Sequence, residues 1–105
     1  MISYISTRGN SPAVSSAQAI LKGLADDGGL YVPDAWPTLD LTLADLKSLS
    51  YQEIAVKVFT AFLPDFAEED LHEAIRKAYG SQWQNEQIVP LADFGHLHYL
   101  ELFHG

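Results

Sequence analysis

An arginine in a turn rich in hydroxyls and glycine can grip an oxyanion, and this chain has one so placed. Arg8 stands in "STRGN", Ser6 to Asn10, directly after the short run "SYIS". Its planar fork of N–H donors matches phosphate or carboxylate oxygens two at a time. Thr7 adds a hydroxyl beside it. The other cations, Lys22, Lys47, Lys57, Arg76 and Lys77, fall in segments with helical periodicity, where solvent-facing charge is routine. The competing reading of Arg8 is a surface arginine in a mobile turn.

Other chemistries fare worse. There are four histidines and no cysteine, so thiolate chemistry, disulfides and zinc–thiolate sites are all excluded. His96 and His98 share one strand face, about 6.6–6.8 Å apart at the usual rise, while His104 lies roughly 20 Å further along. A zinc site takes at least three close protein ligands, so no metal is expected. Glu68, Glu69, Asp70 and Glu73 could be paired carboxylates for acid–base work. The first turns of a helix already favour negative charge, however, and a solvated face is the expectation. Gly28-Gly29 follows a helix instead of joining a strand to one, so it reads as a helix C-cap and not as a nucleotide loop. No serine stands in a nucleophile-elbow motif. These residues alone make no complete active site; they suit a folded accessory domain.

The elements that position these residues follow from periodicity and capping. "SYIS" and "LYVP", Leu30 to Pro33, read as short strands. Ser15 and Gln18 form a capping box ahead of Ala17, Ile20, Leu21 and Leu24, an apolar face at i, i+3, i+4, i+7. Thr42 and Asp45 cap a short helix over Leu43, Leu46 and Leu49. Ser50 and Glu53 open another helix, with Ile54, Ala55, Val58, Phe59 and Phe62 on one face, stopped by Pro64. A fourth runs from about Ala67 to Tyr79, with Leu71, Ala74, Ile75 and Ala78 inward and Gly80 as its C′ residue. Ile88 to Ala92 and His96 to Phe103 read as a hairpin turning at Asp93-Phe94-Gly95, its second strand buried through Leu97, Tyr99, Leu100, Leu102 and Phe103. The expected class is α+β: a small sheet of short strands from both chain ends, with about four helices between them, mainly on one face.

Composition bounds the partners. One hundred and five residues make a single domain, residues 1–105, and 48% hydrophobic with 19% charged residues is ordinary for a soluble globular protein. Fourteen acids against six bases give a net charge of -8, with no basic stripe to neutralise nucleic-acid phosphates or meet an anionic membrane. No apolar run approaches ~18 residues and the start lacks a secretory pattern, so a cytoplasmic protein is expected. An anionic small molecule could bind only through a few placed donors at short range.

Three stretches in order, "YISTRG", "GLADDGGLYVP" and "LELFHG", resemble the N-terminal region of the threonine synthase family. The helix ending in "AYG" is similar too, and the resemblance covers essentially the whole chain. It implies a pyridoxal 5′-phosphate enzyme of fold-type II that converts O-phospho-L-homoserine and water to L-threonine and phosphate. In that family "FHG" is followed by a Pro-Thr-leading segment ending in Phe-Lys-Asp, whose lysine holds the cofactor. The resemblance therefore implies a domain ending just before that lysine, inactive alone, with no cofactor of its own. Its partners would be the remainder of the same polypeptide and the phosphohomoserine substrate. Thr7, Arg8, His104 and Gly105 are the candidate substrate contacts, and apolar surface left uncovered is expected to drive self-association. The alternative is a non-catalytic binding or assembly module of the same fold.

Overall fold

Three reciprocal capping boxes set the helix starts in the computed structural model, which describes residues 1–83 and 87–102. Ser15 and Gln18 open α1 (Ser16–Lys22), Thr42 and Asp45 open α2 (Leu43–Ser48), and Ser50 and Glu53 open α3 (Tyr51–Phe62). Each pair satisfies two otherwise orphaned backbone N–H groups at its helix start. The fourth helix, α4 (Glu68–Ala78), has no side-chain cap; Glu68, Glu69 and Asp70 in its first turn and Arg76 and Lys77 in its last complement the dipole instead. Its C-terminal carbonyls are met by side chains: the Gln82 amide donates to Lys77 and Ala78, and the Trp83 indole N–H to Ala78.

The α+β class holds, but the strands of the two chain ends do not share a sheet. β1 (Tyr4–Ser6) pairs antiparallel with β2 (Tyr31–Pro33), Ile5 opposite Val32. β3 (Leu91–Phe94) pairs antiparallel with β4 (Leu97–Leu100), Ala92 opposite Tyr99, as a separate two-stranded sheet. Gly95, at φ 66°, makes the tight turn between them.

The helices pack on one another, α3 against α4, with Val56, Leu71 and Ile75 buried between them. Polar ties link this pair to the N-terminal layer. Asp65, in the loop between α3 and α4, accepts from the Ala17 N–H at 2.9 Å and from the Ser16 hydroxyl, and so caps α1 from outside. The Tyr4 hydroxyl donates to the Phe62 carbonyl at 2.6 Å. Ser16 is 1% exposed, and Ala19 of the same helix is buried beside it.

Several expectations change here. The apolar face read for α1 is not buried in this chain: Ile20, Leu21 and Leu24 are all exposed, and Ser16 and Ala19 face inward. The hairpin strand read as buried is open along Leu97, Tyr99, Leu100 and Leu102, and Phe103 lies outside the described residues. Ala74 and Ala78 of α4 are exposed, while Val56 of α3 is buried. Periodicity marks the apolar side of an element; it does not say which molecule covers that side. The C-cap of α1 is Gly23, at φ 73°, and not Gly28-Gly29. Gly80 does follow α4, but steric space selects it: a Cβ there would stand 2.9 Å from the Arg76 carbonyl oxygen. Among the described residues no helix is long and apolar enough to cross a membrane.

The accessible surface is 7727 Å², against roughly 5,800 Å² for a self-contained domain of this mass. The radius of gyration is 16.5 Å, against about 13 Å for a compact domain of this length. Exposed apolar side chains of α1 and of the β3–β4 hairpin, among them Leu21, Phe94 and Leu100, contribute to that surface. Ile75→Ala is expected to destabilise the chain by about 2–5 kcal/mol in urea unfolding, as for other buried large-to-small changes. Leu21→Ala, on the exposed face of α1, is expected to stay within about 0.5 kcal/mol.

Candidate functional site

The turn after β1 is locked in place. Gly9 N–H donates to the Ser6 carbonyl at 3.0 Å, and the Arg8 N–H to the Ser6 hydroxyl oxygen at 3.1 Å. Thr7 exchanges two bonds with Leu30: its N–H donates to the Leu30 carbonyl at 2.9 Å, and its hydroxyl oxygen accepts from the Leu30 N–H at 3.0 Å. These bonds seat "STRGN" against the turn "ADDGGL" that precedes β2.

Asp27 is the hub of that contact. Its carboxylate accepts from the Ser6 hydroxyl at 2.6 Å, the Gly29 N–H at 2.9 Å and the Asn10 N–H at 2.9 Å. The Ser6 hydroxyl, the Gly29 N–H and then the Asn10 N–H hold the carboxyl below its ordinary range, with the Arg8 charge adding to the effect. Gly29 is required by space: a Cβ would fall 2.1 Å from Ser6 Oγ. Ser6 itself is 4% exposed.

Arg8 and Thr7, both singled out from sequence, lie side by side and exposed. Arg8 is a surface arginine with one backbone anchor: its Nη1 donates to the Asp27 carbonyl at 2.9 Å. Among the described residues no carboxylate forms an ion pair with it, so its remaining N–H donors are available to an oxyanion. His104 and Gly105, the other candidates, lie outside the described residues. Sequence reasoning missed Asp27, although Asp-x-Gly ahead of a strand is the signature of an Asx turn.

The alternative chemistries stay apart. His98 Nδ1 meets Asp93 at 2.5 Å within the hairpin, and no group of three metal-ligating side chains converges among the described residues. The acidic turns of α4 are solvent-facing, with Glu73 paired to Lys77 at 2.6 Å and Glu68 near His72 at 3.6 Å. Grooves of about 510 and 460 Å³ flank α4. The first is lined by Phe59, Leu63, Phe66 and Leu71 without a cation, and in the second Arg76 shares the lining with Glu53 and Glu73.

The four lysines do not fit a Schiff base to pyridoxal phosphate. All are exposed on helices. Burial is what makes a lysine amine nucleophilic at neutral pH, and Lys22 is instead pushed up, first by its bond to Asp26.

Two small antiparallel sheets and four helices, with an anchored arginine at one turn, define a small α+β domain that displays a cation. The chain belongs to the threonine synthase N-terminal family: residues 3–79 match the family described as "Threonine synthase N terminus". It is 39% identical to the threonine synthase of Pseudomonas aeruginosa over 105 residues, covering 97% of this chain and 22% of that protein. It is 37% identical to the threonine synthase of Schizosaccharomyces pombe over 108 residues, covering 99% and 21%. The crystal structure of PLP-bound threonine synthase from Brucella melitensis aligns with a TM-score of 0.84 at 35% identity, covering all of this chain and 23% of that one. The chain thus spans about a fifth of the length of these relatives.

Because Asp27 titrates lower in the folded state than in the unfolded one, its contribution is present above the ordinary value of 3.8 and lost as pH falls through the folded value. The stability gap between wild type and Asp27→Asn in urea unfolding is expected to be constant near neutral pH. It should close progressively as pH is lowered below 3.8.

Proposed function

We propose that this chain serves as the N-terminal domain of a threonine synthase, the pyridoxal 5′-phosphate lyase that converts O-phospho-L-homoserine and water to L-threonine and phosphate. The observation that carries the reading is the similarity of essentially the whole chain, in sequence and in backbone shape, to enzymes of that name. On this reading the cofactor and its lysine belong to the part of the polypeptide that this chain does not span, since no lysine here fits the role. The 105-residue chain alone is catalytically inactive.

Its contribution to substrate binding is placed at Thr7 and Arg8, with His104 and Gly105 as further contacts. The substrate carries a carboxylate and a phosphate, and the anchored Arg8 offers a fork of donors to either. A net charge of -8 repels such an anion at long range, so recognition is local. The exposed apolar side chains of α1 and of the β3–β4 hairpin are the surface for the rest of the same polypeptide, and the isolated chain self-associates through them. The proposed compartment is the cytoplasm.

Two outcomes are expected. Adding pyridoxal phosphate to the isolated chain produces no internal-aldimine absorbance, whereas the same domain joined to the remainder of a threonine synthase shows it. In that joined enzyme Arg8→Ala lowers kcat/KM for phosphohomoserine by about 10–150-fold, the equivalent of one charge-assisted hydrogen bond. An unchanged kcat/KM removes Arg8 from substrate binding.

A further inference from the structure

We propose that Gly28 is the positioning residue for Arg8: its bare Cα is the seat on which the guanidinium rests, aimed outward toward a bound oxyanion. The inference rests on the reading of Arg8 as an anion contact and goes past it by naming what sets the direction of the fork.

The contact is close and one-sided. A Cβ on Gly28 would stand 2.8 Å from Arg8 Nη1 and 3.4 Å from its Cζ, so any larger residue displaces the group. The Asp27 carbonyl, one peptide before, accepts from Nη1 at 2.9 Å. The carbonyl holds Nη1, and the space a Gly28 side chain would fill is taken by the guanidinium.

An arginine beside an aspartate ordinarily collapses into a bidentate pair. Here the Asp27 carboxylate is held by the Ser6 hydroxyl and the Gly29 and Asn10 N–H groups. The guanidinium therefore bonds the backbone of Asp27 and keeps its charge for a ligand. The fitting chemistry is a phosphate monoester or a carboxylate.

A second glycine supplies the control. Gly23 has φ +73° and Gly28 φ +80°, so alanine meets a positive-φ backbone penalty at both sites. Only at Gly28 does the new methyl meet anything within 4 Å. The experiment follows the arginine side-chain NMR signals of the chain while inorganic phosphate, and in parallel acetate, is titrated. The wild type and Gly23→Ala are expected to show a restrained Arg8 guanidinium and phosphate affinities within about twofold of each other. Gly28→Ala is expected to free the guanidinium and weaken phosphate binding about tenfold, most of one charge-assisted bond.

If Gly28→Ala matches Gly23→Ala in both readouts while Arg8→Ala loses binding, the positioning role is wrong and the anion reading stands. If Arg8→Ala binds both anions as the wild type does, the anion reading fails, and the restraint of the guanidinium alone decides the role of Gly28. If Gly28→Ala does not fold, Gly28→Asn, which tolerates positive φ and still carries a Cβ, takes its place with the same expected outcomes. A folded Gly28→Asn that leaves the Arg8 guanidinium restrained and phosphate binding unchanged overturns the proposal.

Discussion

The constraint on which the candidate site depends is the occupancy of one carboxylate. Asp27 bonds Ser6, Asn10 and Gly29, groups drawn from two turns widely separated in sequence. Those bonds register the "STRGN" turn on the "ADDGGL" turn, and the β1–β2 pairing continues that register outward. They also spend the charge of Asp27 on uncharged donors, which leaves Arg8 beside it without a carboxylate partner among the described residues. The geometry of the turn and its electrostatics thus have one cause.

The rest of the chain is held by two kinds of force. Between α3 and α4 a small apolar core, with Val56, Leu71 and Ile75, does the ordinary work of burial. Between this helix pair and the N-terminal layer the links are hydrogen bonds, Asp65 to Ser16 and Ala17, and Tyr4 to Phe62. Such bonds add little net stability, but they are directional and fix how the layers meet. Large apolar side chains that could build a deeper core, Ile20, Leu21, Leu24, Leu97 and Leu100, remain on the outside. That distribution agrees with a chain spanning about a fifth of its relatives' length.

Local features were legible in the sequence because local chemistry determines them. Ser15 with Gln18, Thr42 with Asp45 and Ser50 with Glu53 announced helix starts that the structure reproduces, and the charge gradient of α4 announced its ends. The hairpin was readable, but its turn falls at Gly95-His96, with Asp93 and Phe94 paired inside the ladder. Its first strand starts at Leu91 instead of Ile88, and its solvent exposure was not legible. The apolar face of α1 misled because spacing reports amphipathicity, whereas burial requires a partner. Arg8 was legible as a cation in an unusual place. What holds it there was not, because Asp27 and Gly28 act on it from about twenty residues away in sequence, and spacing within one turn carries no trace of that.

The ties between the layers also set an order of events. The bonds from Asp65 to the start of α1 span 48 and 49 residues, and the bond from Tyr4 to Phe62 spans 58. Closing loops of that length costs chain entropy before any contact offsets it. Helices α3 and α4 are neighbours in sequence and can meet early, whereas the N-terminal layer must dock onto them across a long excursion. The arginine turn, by contrast, is closed by bonds that span only 17 to 21 residues within the N-terminal layer, so it can form before that layer docks.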